Sequence, residues 1–256
     1  MTAARVVLWR HGRTAYNHEH RFQGQLDIPL DDVGVAQAEA AAVLLAARLS
    51  GTGPVRLITS DLSRAWMTAD ALAARLGVVA ERDPALREIF SGAWEGLSRD
   101  EIDARWPDDH AAWRRGEDVR IGGGETRSEA ARRTVNAILA AVADLDGGTL
   151  VAVSHGASLR GAVALLLGDP AAEGGEGDER HNPFAVLRNA HWAELEVLPG
   201  PWRLLAYNLG APEVAMPPGT GDTADQGKQA DGAPGRDLEP AGVAGVDSPG
   251  RDGGGH

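Results

Sequence analysis

Cysteine is absent from the 256 residues, which excludes a disulfide framework, a thiolate nucleophile and a thiolate metal ligand. Long apolar runs are missing as well. The longest, such as residues 162–167, fall far short of the ~20 residues that a membrane-spanning helix needs. Met1-Thr2-Ala3-Ala4-Arg5 leads at once into an apolar segment, so a secretory signal is not expected and a cytoplasmic location is. Positive charge is in short supply: 25 lysines and arginines stand against 37 acidic residues, a formal net charge of −12. Nucleic-acid and anionic-membrane binders normally show a basic face, so neither partner is expected. A small anionic ligand in such a protein needs a local cluster of positive groups.

The charge is unevenly spread. Residues 211–256 hold eight acidic and three basic side chains, a net of −5, which leaves −7 for residues 1–210. The same 46 residues contain 11 Gly and 6 Pro and no aromatic residue. A segment of that composition cannot bury enough apolar surface to offset its ordering entropy, so it reads as a disordered tail behind one domain over residues 1–210. Residues 171–181, rich in Gly and Glu, read as a surface loop on the same ground.

Between these segments strands and helices alternate. Short apolar runs at residues 6–9, 56–59 and 149–153 read as buried parallel strands. Helices are expected over residues 31–49, capped by Asp31 or Asp32, then 63–76, closed by Gly77, then 125–146 and from 156 to 167. Residues 192–197 and 202–207 read as late strands at an edge. The class is α/β, with an open, mostly parallel sheet flanked by helices.

Each of the three buried strands ends, on its carboxyl side, at ionisable groups: Arg10-His11, Asp61 with Arg64 one turn on, and His155. Ligands of open α/β sheets bind beyond the carboxyl ends of the strands. Segments about 50 and 90 residues apart therefore meet at one place. Gly12 allows the close backbone approach that a ligand requires. Arg64, in the first turn of its helix, opposes the helix dipole by a few tenths of a kcal/mol, a cost that a bound anion offsets. An i,i+3 ion pair with Asp61 is the alternative. His155-Gly156 opens a helix whose free N–H groups suit a phosphate oxygen. His18 and His20 flank Glu19, but no third metal ligand is evident.

The stretch Leu8-Trp9-Arg10-His11-Gly12-Arg13-Thr14-Ala15-Tyr16-Asn17 resembles the Arg-His-Gly signature of the histidine phosphatase superfamily, the phosphoglycerate mutase-like proteins. Further segments follow in that family's order: Phe22-Gln23-Gly24-Gln25-Leu26-Asp27, Ser60-Asp61-Leu62-Ser63-Arg64-Ala65, Leu86-Arg87-Glu88, Gly123-Gly124-Glu125-Thr126 and Ser154-His155-Gly156. The resemblance implies a nucleophile at His11, neutral and oriented through its other ring nitrogen by a backbone carbonyl. It places Arg10, Arg64 and His155 around the phosphoryl oxygens and makes Glu88 the proton donor and acceptor. Asn17, Gln23 and Gly24 become substrate-binding candidates. Arg13 could add a contact to substrate charge or lie in solvent. Ala157 departs from the second glycine of many relatives and is expected only to narrow the pocket slightly.

About 27 residues separate Gly96 from Gly123, too few for the insertion that covers the site in mutases of the family, so a phosphatase is favoured. The resemblance around Gln23 and Asn189 points to glucosyl-3-phosphoglycerate as substrate. Other sugar phosphates, phosphoamino acids, a mutase activity and an inactive binding protein are the alternatives. No cofactor and no metal are expected, and the oligomeric state stays open, a homodimer included.

Overall fold

Alternation along β1 (Arg5–Arg10) sorts the core into two layers, because successive side chains of a strand point to opposite faces. Val6 and Leu8 join one layer, Val7 and Trp9 the other. The computed structural model describes residues 4–169 and 182–212, all within a single unit. The expected loop at residues 171–181 and nearly all of the expected tail lie outside the described residues.

Strands β2 (Val55–Thr59), β3 (Ala80–Arg82), β4 (Thr149–Ser154), β5 (Trp192–Glu196) and β6 (Arg203–Leu209) complete one sheet, ordered β3-β2-β4-β1-β5-β6. The first four in that order pair in parallel, and β5 and β6 add an antiparallel edge. This is the open, mostly parallel α/β sheet expected of the sequence. Only β3 was not anticipated: one half-buried and two exposed residues carry no apolar signal.

Helices α2 (Asp32–Leu49) and α3 (Ser63–Leu76) cover the face that presents Val7, Trp9, Leu57 and Val151. Helices α6 (Arg127–Ala143) and α7 (Gly156–Leu166) cover the opposite face through Ile138, Val142, Leu159 and Val163. Truncating one such fully buried aliphatic side chain to alanine costs about 2–5 kcal/mol. The caps explain the boundaries. The Asp31 carboxylate accepts from Gly34 N–H at 2.7 Å. Thr126 and Glu129 form a capping box, so α6 starts two residues later than expected. Gly77 ends α3 in the left-handed conformation, at φ 67°.

Three shorter helices were not anticipated: α1 (Ala15–His18), α4 (Arg99–Arg105) and α5 (Pro107–Arg114). The last two pack on a satellite core of Ile89, Trp94, Ile102 and Ile121, with Phe22, Trp106 and Trp113 around it. No helix among the described residues is long and apolar enough to cross a membrane.

Candidate active site

Sheet register brings the two histidines together. Strands β1 and β4 pair in parallel with Arg10 opposite Ser154, so the next residue of each, His11 and His155, leaves the sheet side by side. Their rings lie 5.1 Å apart, centroid to centroid, tilted by 58°. Both are buried. Strand β2 ends alongside, with Ser60 N–H donating to the Val153 carbonyl, and the chain then turns into α3 carrying Arg64.

The tautomers follow from partners that have only one role. His11 Nδ1 lies 2.6 Å from the Gly12 carbonyl, an acceptor, so Nδ1 carries the proton and Nε2 keeps its lone pair. His155 Nδ1 receives a bond from Arg64 Nε at 3.1 Å, so its proton sits on Nε2. That Nε2 is buried and has no partner among the described residues. A buried N–H without an acceptor costs about 1–3 kcal/mol, which a ligand oxygen would recover. Burial first, then the neighbouring Arg64 charge, hold both imidazoles well below the usual histidine value. Both are neutral at physiological pH.

Arg64 is fully buried and hydrogen-bonds to no carboxylate among the described residues. It donates instead to the carbonyls of Leu26 and Gly24, at 2.7 Å each. Burial lowers its pKa to about 10, with Arg10 adding to the effect. Arg10 is held on the other side by the Leu187 carbonyl, at 2.6 Å from Nη1. The guanidinium passes over Gly156, where an added Cβ would lie 3.4 Å from Arg10 and 2.8 Å from Val186. Two guanidinium groups, one unpartnered N–H and one imidazole lone pair thus converge in a small buried volume, the positive cluster that an acidic protein needs for an anion.

Several expectations about these residues change. Asp61 does not pair with Arg64. It forms a two-pronged ion pair with Arg87, at 2.7 and 2.6 Å, a partner that lies 26 positions away and escapes any local spacing rule. The α3 N-terminus is capped from outside, by Asp27 accepting from Ser63 N–H at 2.6 Å. The close approach at Gly12 is to protein: an added Cβ would lie 2.4 Å from the Gly34 carbonyl, in the first turn of α2. Arg13 does not lie in solvent: its side chain is largely buried, and Nε donates to Asp31 Oδ2 at 2.9 Å.

Glu88 reaches the same end of the sheet. Its Oε2 accepts from Ala157 N–H at 3.0 Å, and Oε1 from Ile89 N–H, Ser158 N–H and the Ser158 hydroxyl at 2.9–3.0 Å. The α7 N–H groups expected to meet a phosphate oxygen are therefore occupied by a carboxylate, which also suits the helix dipole. Ala157 contributes its backbone to that bond. Asn17 closes a capping box with Thr14. Gln23 is nearly buried and accepts from the Thr14 hydroxyl at 2.9 Å. Gly24 takes φ 51° and leaves no room for a Cβ beside the Glu95 carboxylate. Sequence reasoning passed over the contact roles of Asn189, Thr68 and Arg133. Thr68 accepts from Gly12 N–H at 3.0 Å. Arg133 donates to the carbonyls of Ala85 and Arg87, at 2.7 and 3.1 Å. Each acts across dozens of positions, so no local spacing rule discloses the contact it makes.

The family model of the histidine phosphatase superfamily (branch 1) matches residues 6–210. The chain is 37% identical over 226 residues to the glucosyl-3-phosphoglycerate phosphatase of Mycobacterium tuberculosis, covering 82% of this chain and 97% of that one. It is 35% identical over 203 residues to a probable phosphoglycerate mutase of Yersinia pestis, covering 77% and 86%. The structure of a mycobacterial glucosyl-3-phosphoglycerate phosphatase complexed with VO3 superposes with a TM-score of 0.72 at 36% identity, over 80% of this chain and 99% of that one.

Proposed function

The chain belongs to the histidine phosphatase superfamily and is a phosphatase of small phosphorylated metabolites, and from the geometry of its pocket we propose that it hydrolyses phosphomonoesters through a phosphohistidine on His11. The observation that carries this reading is the buried Arg64, a cation with no carboxylate on it among the described residues, beside an imidazole whose tautomer leaves Nε2 unprotonated.

In the first step the Nε2 lone pair attacks phosphorus and the bond to the ester oxygen breaks. Arg10, Arg64 and His155 Nε2–H stabilise the equatorial oxygens as charge develops. Glu88, protonated for this step, gives its proton to the leaving oxygen. Its Oε2 receives one donor, an N–H, where Oε1 receives three, two N–H groups and a hydroxyl, so Oε2 is the oxygen with room for a proton. In the second step water attacks phospho-His11, Glu88 takes the water proton, and phosphate leaves with the imidazole restored. These cations meet the phosphoryl charge without a metal. A cytoplasmic location and an absence of nucleic-acid substrates belong to the same reading, on the sequence's composition and charge.

Mixing protein with an aryl phosphate in the presence of EDTA should give full turnover and an acid-labile phosphate on His11. His11→Ala should abolish both with the fold intact. A variant retaining more than about a hundredth of the activity, within about 2.7 kcal/mol of the wild-type barrier, would contradict covalent catalysis.

Glucosyl-3-phosphoglycerate is the substrate that the similarity and the motif around Gln23 and Asn189 support. A site built to bind its sugar and carboxylate rejects analogues lacking them. The kcat/KM for it should exceed that for 3-phosphoglycerate by at least about tenfold, about 1.4 kcal/mol. Equal values, or isomerisation of 3-phosphoglycerate, would remove this substrate and leave the hydrolytic chemistry to be judged on the first test.

A further inference from the structure

Asn189 lies 178 positions from His11, yet its Nδ2 meets three oxygens around the nucleophile: the His11 carbonyl at 3.2 Å, the Gly12 carbonyl at 3.2 Å and Asn17 Oδ1 at 3.1 Å. The orientation of this amide is fixed by the network. Thr14 N–H can only donate, and it donates to Asn17 Oδ1 at 3.2 Å, which identifies that atom as oxygen. The atom of Asn189 facing it and two carbonyls must then be nitrogen. Its neighbour Ala190 holds φ 57°, a conformation that costs a residue with a Cβ about 1 kcal/mol or more. That conformation is pinned by Ala190 N–H donating to the His11 carbonyl at 3.0 Å and by the Trp9 indole donating to the Ala190 carbonyl at 3.0 Å.

We infer that Asn189 is a positioning residue for the nucleophile, which holds the Gly12 carbonyl in place as the acceptor of His11 Nδ1–H and aligns the Asn17 amide through its oxygen. The inference rests on the phosphohistidine reading and goes beyond it. The Gly12 carbonyl accepts from both His11 Nδ1 and Asn189 Nδ2. An acceptor shared with a second donor is a weaker partner for the imidazole, and the positive end of the Asn189 amide faces the same peptide. Both effects disfavour an imidazolium at position 11 and keep Nε2 available. Asn17, whose oxygen takes Thr14 N–H and Asn189 Nδ2, is left with its two N–H donors for other use. Among the described residues the charged and titratable groups facing His11 are Arg10 from β1, Arg64 from α3 and His155 from the β4–α7 junction, and the Glu88 charge acts on Arg64. Replacing Asn189 changes none of them.

The test compares Asn189→Ala with Asn189→Asp. Aspartate is nearly the same size and shape, but it presents an oxygen and a negative charge where three acceptors need a donor. The positioning role requires kcat/KM to fall about tenfold or more in the alanine variant and further in the aspartate variant, with KM changing less than kcat. Histidine-detected 15N NMR of the full chain reads the same role without turnover. The protonation midpoint of His11 should move to higher pH in Asn189→Ala and higher again in Asn189→Asp. If aspartate behaves like wild type while alanine is impaired, Asn189 only fills space. If neither variant moves the His11 midpoint, it does not act on the nucleophile. Should Asn189→Asp fail to fold, the titration of Asn189→Ala decides alone. A wild-type protein without phosphatase activity would sink the functional reading, and the titration would still decide this one.

Discussion

Replacing Arg64 by lysine keeps the formal charge and removes the fork, which separates charge from geometry as the basis of phosphate binding. The guanidinium spans the carbonyls of Gly24 and Leu26 and Nδ1 of His155, at 2.7, 2.7 and 3.1 Å. One ammonium group at the end of a flexible stem cannot reach all three in that plane. Leaving two buried acceptors bare costs about 1–3 kcal/mol each, so the variant should lose about 2–6 kcal/mol of stability, less where water enters. The charge itself is also at risk. This environment lowers the guanidinium from 12.5 to about 10. A shift of similar size brings a lysine from ~10.4 to ~8.

Two consequences follow for the assay. Loss of one pre-organised donor to the transition state lowers kcat/KM by about 10²–10³, about 2.7–4 kcal/mol. A new descending limb near pH ~8 should also appear as the lysine loses its proton, where the arginine enzyme shows none. The measurement is kcat/KM on an aryl phosphate from pH 6 to 9.5, beside melting curves with and without inorganic phosphate. Phosphate stabilises whichever form binds it, so the melting shift seen for wild type should shrink in the variant. Activity within tenfold of wild type, with no new alkaline limb and an undiminished phosphate shift, would refute the claim that this buried fork holds the phosphoryl group.

Two further outcomes are expected. His11 and His155 are both held well below 6.5 in the folded chain, so below about 6.5 the unfolded chain takes up protons that the folded one does not. Their contribution is complete above that value and is lost as pH falls from it toward the folded values, by up to about 2.7 kcal/mol per pH unit for two protons. Urea midpoints measured from pH 7 to 5 should show this fall, and His155→Gln should lessen it; midpoints that do not move would contradict the depressed values. Stopping the chain after Pro212 should leave the melting temperature and kcat/KM unchanged, because residues 213–256 contain 11 glycines and no aromatic residue with which to join a core. A drop of several degrees would show that the segment docks.

What the sequence discloses depends on how far each partner lies along the chain. The three buried strands are short apolar runs between helices, so their ends, and with them His11 and His155, can be placed together from period and topology alone. Glu88 cannot. It sits in an irregular stretch, and its tie to the sheet is a set of bonds to α7 made 69 and 70 positions away. Only the family resemblance pointed to it. The partner of Asp61 was illegible for a related reason: local spacing offered Arg64 only as an alternative, and the fold supplies Arg87. Helices α4 and α5 are short and rich in charge, and their apolar residues bury in a satellite core, so no stripe facing the main sheet announces them.

The charge surplus in the pocket links these observations. Arg64 would be more stable beside a carboxylate, and Glu88, whose charge acts on it, is bound instead to the α7 N-terminus and Ser158. The two guanidinium groups do two things at once. They leave an anion site, and their field, added to burial, strips the proton from both imidazoles. A phosphate dianion entering the site cancels part of that field and so favours protonating the histidines just as the reaction begins. For His155 this is harmless, since Nε2–H already donates. For His11 it would block the nucleophile. The Nδ1–H bond to Gly12 does not prevent that, because an imidazolium could keep it. The phosphoryl group itself does: once bound, phosphorus faces Nε2, and a proton can reach that nitrogen only if the substrate leaves. The order of events is therefore set by burial and the two guanidinium groups, which keep His11 neutral until the substrate arrives.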